Sequence, residues 1–174
     1  EKQYQLQHHM NGKEYGTFFI DQHLFAMNSQ DIAQAVSYDK LVKTTMGNRP
    51  EQIGILSLDN AQHKAFVWVF DLSYLIKGKH SQISNNSQII ILKHHGTALG
   101  ILVDELHAVT QFAENAIMPV PFSRSKEDML VSHIIQANEG DILIPCLDLS
   151  RLFELITTGA ISAPEDVAKQ SLVA

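Results

Sequence analysis

Cysteine occurs once in the sequence, at Cys146, so no disulfide can form within the chain. Its place in the apolar run ILIPCL marks a buried, unreactive thiol in a reducing compartment rather than a nucleophile. Runs of positive charge are missing as well. No two Lys or Arg residues are adjacent, and 13 of them against 19 Asp and Glu leave a formal charge of -6 and a pI near 5.8. Without a basic face there is nothing to hold phosphates, which excludes nucleic acid as a partner. No apolar stretch approaches the ~20 residues that cross a bilayer, and the N-terminal stretch lacks a basic-then-apolar leader. The domain is therefore expected in the cytoplasm, without direct membrane insertion. The first residue is Glu1 rather than Met, which fits an excerpt from a longer chain.

What is present is 174 residues with 45% apolar content, enough for one core or two small fused ones. Residues 1–15 are polar and read as a lead-in, helical or disordered. Short runs rich in Ile, Val and Phe follow: GTFFI, LFAM, IGILSL and AFVWVFDL, then IIILK, ALGILVDEL, VSHIIQA and DILIPCLDL. They have strand length and polar turns between them. The segment KGKHSQISNNSQ reads as an exposed connection, and SRSKEDML at 123–130 as one short helix. Residues 157–174 read as a tail or linker.

Two motifs recur. FDLSYL (70–75) returns as LDLSRL (147–152), and DIAQAV (31–36) returns as DELHAV (104–109). Both pairs keep their order at nearly constant offset, which implies duplication of an all-β unit of roughly 75 residues, longer than solenoid periods. The repeated Asp has a local purpose: at the end of a strand, Asp71 or Asp148 can accept the free N–H groups of a following turn. LSRLFELI after Asp148 carries helical spacing, whereas the first copy stops at Gly78. Small all-β units close into barrels to remove their edges, and two packed together leave a seam suited to binding.

With these landmarks placed, the sequence resembles the CheW-like family, the adaptor domains of bacterial chemosensory arrays, over residues 16–156. ALGILVDELHAV is similar to the family's G-x-x-V-D-x-V-x-x-V strand pair, IGILSL to its G-V-x-x-L strand and VWVFDL to its P-V-x-D-L strand; MPVP also matches. The resemblance implies a mostly β fold of two pseudo-repeated, intertwined five-stranded barrels with one or two short helices, the halves lying at about 16–80 and 86–156 and interchange of strands between them left open. It implies no catalysis and no cofactor. It also implies two partners: the cytoplasmic tip of a methyl-accepting receptor, in the groove between barrels, and the regulatory domain of a CheA-type histidine kinase, at an exposed end of the first barrel. Positional match puts the groove at Val36, Ile55, Leu58, Asp59, Val103 and Val109.

The departures are informative. Leu-Arg-Gly becomes Leu58, Asp59 and Asn60 followed by AQHK, the two usual Glu positions are Ala35 and Ala108, and the first Pro is Trp68 while its counterpart is Pro145. An Arg-to-Asp reversal works against an acidic partner. A second class follows from them, a diverged sensor domain holding a small ligand or metal in the seam within a larger signalling protein. It expects an enclosed pocket of converging polar groups, where the scaffold expects an open apolar seam.

Nine histidines invite metal, but adjacent pairs such as His8–His9 and His94–His95 point to opposite faces of a strand or sit in turns, and no H-x-x-x-H or C-x-x-C spacing accompanies them. No metal is expected. Asp104 and Glu105 alternate in facing, and no G-x-S-x-G nucleophile is present, so they read as strand-end acids rather than a catalytic pair. Trp68, the single tryptophan, shares a face with Phe66. A core position is favoured for it; on an outer face it would be an interface anchor.

Overall fold

The structure, a computed structural model, describes residues 12–44, 49–59, 64–120 and 128–159. The expected strands form, and they fall into two six-stranded sheets. In chain order these are β1 (Gly12–Ile20), β2 (His23–Asn28), β3 (Ile32–Ser37), β4 (Val42–Lys43), β5 (Gln52–Asp59) and β6 (Lys64–Asp71). Helix α1 (Leu72–Lys77) separates them from β7 (Gln88–His94), β8 (Thr97–Val103), β9 (Glu105–Ala113), β10 (Ile117–Pro119), β11 (Val131–Ala137), β12 (Ile142–Leu147) and helix α2 (Leu149–Thr158).

One sheet runs β10-β11-β12-β2-β1-β9, the other β4-β5-β6-β8-β7-β3. The two orders are the same once each strand is replaced by its repeat partner. Each copy of the duplicated unit sends its first hairpin to one sheet and its remaining strands to the other. The exchange happens at the repeated Asp residues, Asp31 and Asp104, so the run ALGILVDEL is not one strand: β8 ends at Val103 and β9 begins in the opposite sheet. In both sheets a single parallel contact, β12 with β2 and β6 with β8, joins the exchanged hairpin to its new neighbours. Sheets of six rather than five strands arise because two short edge strands, β4 and β10, are included.

This exchange organises the core. Strand alternation gives each sheet an inner cluster, Leu56, Val67, Val69, Ile89, Ile91 and Leu102 in one, and Tyr15, Ala26, Ile135, Ile144 and Cys146 in the other. The opposite faces of the same strands, among them Phe18, Met27, Phe70, Ile90, Leu92 and Ile101, meet in a third cluster that also takes the buried stripe of α2 (Leu152, Phe153, Leu155, Ile156). The seam between the sheets is therefore filled core over the described residues.

Both D-L-S-x-L motifs cap helices. Asp71 accepts from Ser73 N and Asp148 from Arg151 N, and each helix ends on a left-handed glycine, Gly78 (φ 69°) and Gly159 (φ 76°), whose N–H returns to Tyr74 O or Leu155 O. Two details differ from the sequence reading. β1 begins at Gly12, inside the expected lead-in, because the nine-residue β9 supplies ladder partners for the polar Lys13 and Glu14. Of the segment expected to be helical, Asp128–Leu130 forms one 3₁₀ turn and the preceding residues lie outside the described ones.

Candidate functional site

Two features of the surface stand apart from ordinary solvated strand, an apolar row on one sheet and a polar cleft at the sheet junction.

The row lies across β4, β5 and β6, where the register sets Val42 opposite Ile55 and Ile55 opposite Trp68. Residues paired in an antiparallel ladder point to the same face, and along β6 that face carries Phe66, Trp68 and Phe70. Phe70 is buried in the shared core, Trp68 is 38% exposed and Phe66 67% exposed, so the strand carries aromatic surface progressively out into solvent. Val67 and Val69 face inward. The core placement favoured for Trp68 is thus corrected: its side chain is on the outer face. The equivalent row of the other sheet, Met118–Ile134–Pro145, is apolar too, with Leu143 exposed beside it. Val42 on β4 and Phe66 and Trp68 on β6 thus leave three large apolar side chains exposed on one sheet.

The groove residues read from the sequence separate into different environments. Val36 and Leu58 are half-buried against the inner cluster of the β4-β5-β6-β8-β7-β3 sheet, and Ile55 belongs to the outer row. Val103 is fully buried in the shared core, while Val109 on β9 is 67% exposed, opposite Gly16. Asp59 ends β5 opposite Lys64; its side chain lies outside the described residues. The structure brings Val36 and Leu58 into one cluster and Ile55 beside Trp68, but does not gather all six in one groove.

The cleft has a volume near 590 Å³ and lies where the β1–β2 turn, the segment after α1 and the β8–β9 crossover meet. Beneath it is a network built from both repeated Asp positions. The Asp71 carboxylate, 2% exposed, accepts from Ser73 N (3.1 Å), Ser81 N (2.9 Å) and His80 Nδ1 (3.0 Å), and His80 stacks on Tyr74. Ser81 Oγ donates to Asp104, which also accepts from Asp21 N at 2.6 Å. Lys77 Nζ sits 3.0 Å from Asp21 and, through that hydrogen bond first and its charge second, holds the Asp21 carboxyl below its ordinary range. Asp21 and Gln22 are both left-handed (φ 48° and 67°) without being glycine, as a two-residue hairpin turn demands. Ser81 and His80 were invisible to sequence reasoning, since they act across 10 and 9 positions on a residue whose capping role was already explained.

Among the described residues, the corresponding acids of the other copy are not joined in such a network: Asp148 holds the N–H of Arg151 alone. Burial first, and then the charge of Asp148, push Asp31 above its ordinary value, partly offset by His94. Cys146 is buried and its thiol is pushed up to about 11, chiefly by burial and then by Asp31 and Asp148. His94 and His95 do not point apart as strand neighbours would: their rings lie 4.0 Å apart at the β7–β8 turn, and His94 also touches Phe153. His8 and His9 lie outside the described residues. Among the described residues, no three His, Cys, Asp or Glu side chains are grouped to hold a metal ion, and no helix is long and apolar enough to cross a membrane.

A family model described as CheW-like domain matches residues 14–157. The fold is similar to that of the scaffolding protein TtCheW from Thermoanaerobacter tengcongensis, with a TM-score of 0.71 and 24% sequence identity, covering 82% of this chain and 93% of that one. No individually curated protein matches the sequence.

Proposed function

Because this chain belongs to the CheW-like domain family, we propose that it is a non-enzymatic scaffold domain of bacterial chemotaxis, joining receptors to a CheA-type histidine kinase in the cytoplasm by protein–protein contacts alone. The observation that carries this reading is the Val42–Ile55–Trp68 row with Phe66 beyond it. Exposed Trp and Phe on a rigid sheet supply large contact area at low entropic cost, which is the composition of binding hot spots. The row lies on the β4-β5-β6 side of its sheet, which this reading takes as the exposed end of the first barrel that meets the kinase. The related double barrel of a kinase regulatory domain offers a rigid partner of the same kind. The receptor tip is left to the surface around Val36 and Val109, and Asp59, standing where the family has Arg, weakens attraction to an acidic partner.

Calorimetric binding of this domain to an isolated CheA-type regulatory domain tests the proposal. Trp68→Ala is expected to weaken binding about 30-fold, the scale of a hot-spot residue, with the circular dichroism spectrum of the folded domain unchanged. Asp59→Arg is a second arm, titrated with an acidic receptor-tip peptide: binding by that variant where the native domain is silent identifies a drifted adaptor groove. Absence of kinase binding by the native domain, or equal kinase binding by native and Trp68→Ala proteins, removes the proposal.

A further inference from the structure

The acids around the cleft are committed inside the protein: Asp71 to three donors, Asp104 to two and Asp21 to Lys77. They are not a vacant cation site. Among the described residues, four side chains lining the cleft make no hydrogen bond or close ion pair: the Lys79 ammonium, whose charge acts on Asp21 from beyond contact distance, the Glu105 carboxylate and the amides of Gln22 and Gln82. The ring of Phe19, steadied from its side by His107 at 5.3 Å, adds an apolar patch to the lining. The walls are held in place: the β1–β2 turn by Asp104 and Lys77, the segment after α1 by Asp71. A volume of 590 Å³ is of the size that takes small molecules.

We propose that this cleft binds a small zwitterion carrying one carboxylate and one ammonium, the size of a free amino acid. Lys79 receives the carboxylate, Glu105 the ammonium, and the two glutamine amides complete the hydrogen bonds. One positive and one negative side chain outside any close ion pair match such a ligand better than a phosphate or a metal ion, either of which would leave one of them opposed to a like charge. With few contacts and an open mouth, the dissociation constant is expected on the order of 1 mM. This inference is independent of the scaffold role.

The test is an NMR titration of the amide resonances with glycine, L-serine and L-glutamate, using acetate and methylamine as half-ligands. Saturable shifts confined to residues 19–22, 79–84 and 104–105, weakened roughly tenfold by Lys79→Ala and by Glu105→Gln, support the proposal. Both substitutions are at the surface and leave the buried network intact. No saturable shift with any of the amino acids overturns it, and so do equal affinities for acetate or methylamine, which indicate simple ion pairing. Trp68→Ala is expected to leave the titration unaltered, which separates failure here from failure of the kinase contact.

Discussion

The two D-L-S-x-L motifs make the same cap with different burdens, and this difference is measurable. Asp148 is half-buried and its carboxylate holds Arg151 N; replacing it with Ala removes one N-cap, about 1 kcal/mol. Asp71 is buried and holds Ser73 N, Ser81 N and His80 Nδ1. Asp71→Ala loses the same cap, and in addition strands the Ser81 N–H and releases a histidine contact. Each lost bond to a charged acceptor adds about 1–2 kcal/mol, so the expected total is about 3–5 kcal/mol. For a protein of this size the two substitutions should lower the melting temperature by about 2–4 °C and about 6–20 °C respectively. Urea denaturation of both variants, followed by Trp68 fluorescence, gives the comparison. Hydrogen exchange should rise across residues 79–87 only in Asp71→Ala. If the two variants lose the same stability within about 0.5 kcal/mol, the Ser81 and His80 contacts contribute nothing and the account of the cleft walls fails.

Two further outcomes follow from the shifted groups. The Cys146 thiol, pushed up to about 11 and buried, should resist a disulfide-exchange reagent at pH 8 in the native protein and react at once in denaturant; rapid native labelling contradicts its place in the inner cluster. Asp31, raised by burial and by Asp148, is a group whose ionised form is less welcome folded than unfolded. Asp31→Asn should therefore match the native protein in stability below the ordinary Asp value of 3.8, then exceed it as pH rises through the raised folded value. A constant difference across that window would show that charge is not the cause.

How much of this was legible in the sequence depends on whether the cause was local. The strands were legible because their apolar β-branched runs have strand length whichever sheet receives them. The caps were legible because an Asp at a strand end followed by Leu-Ser has one local use, and α2 showed itself in the spacing of Leu149, Leu152, Phe153 and Ile156. The duplication was legible for the same reason: two copies needing the same cap and the same crossover keep the same residues. The destination of each strand was not. A strand alternates in the same way in either sheet, so nothing local distinguishes ALGILVDEL as one strand from β8 and β9 parted at Asp104. The face of Trp68 was hidden by the same ambiguity, since Phe66, Trp68 and Phe70 share one side of β6 and only the third reaches the shared core.

The unreadable part of the chain is also where the two copies diverge. Asp104 and Asp31 both mark a crossover, but Asp104 is joined through Ser81 to the cap Asp71, while Asp31 faces the cap Asp148 and is raised by it. Duplication supplies two equal crossovers, and the segment after α1 turns one of them into a walled polar cleft. A repeat that only built a scaffold would have no need of that asymmetry. Its location, at one crossover and apart from the apolar row on β4, β5 and β6, keeps the polar cleft and the exposed aromatic row on separate parts of the fold, so that each can be altered without the other.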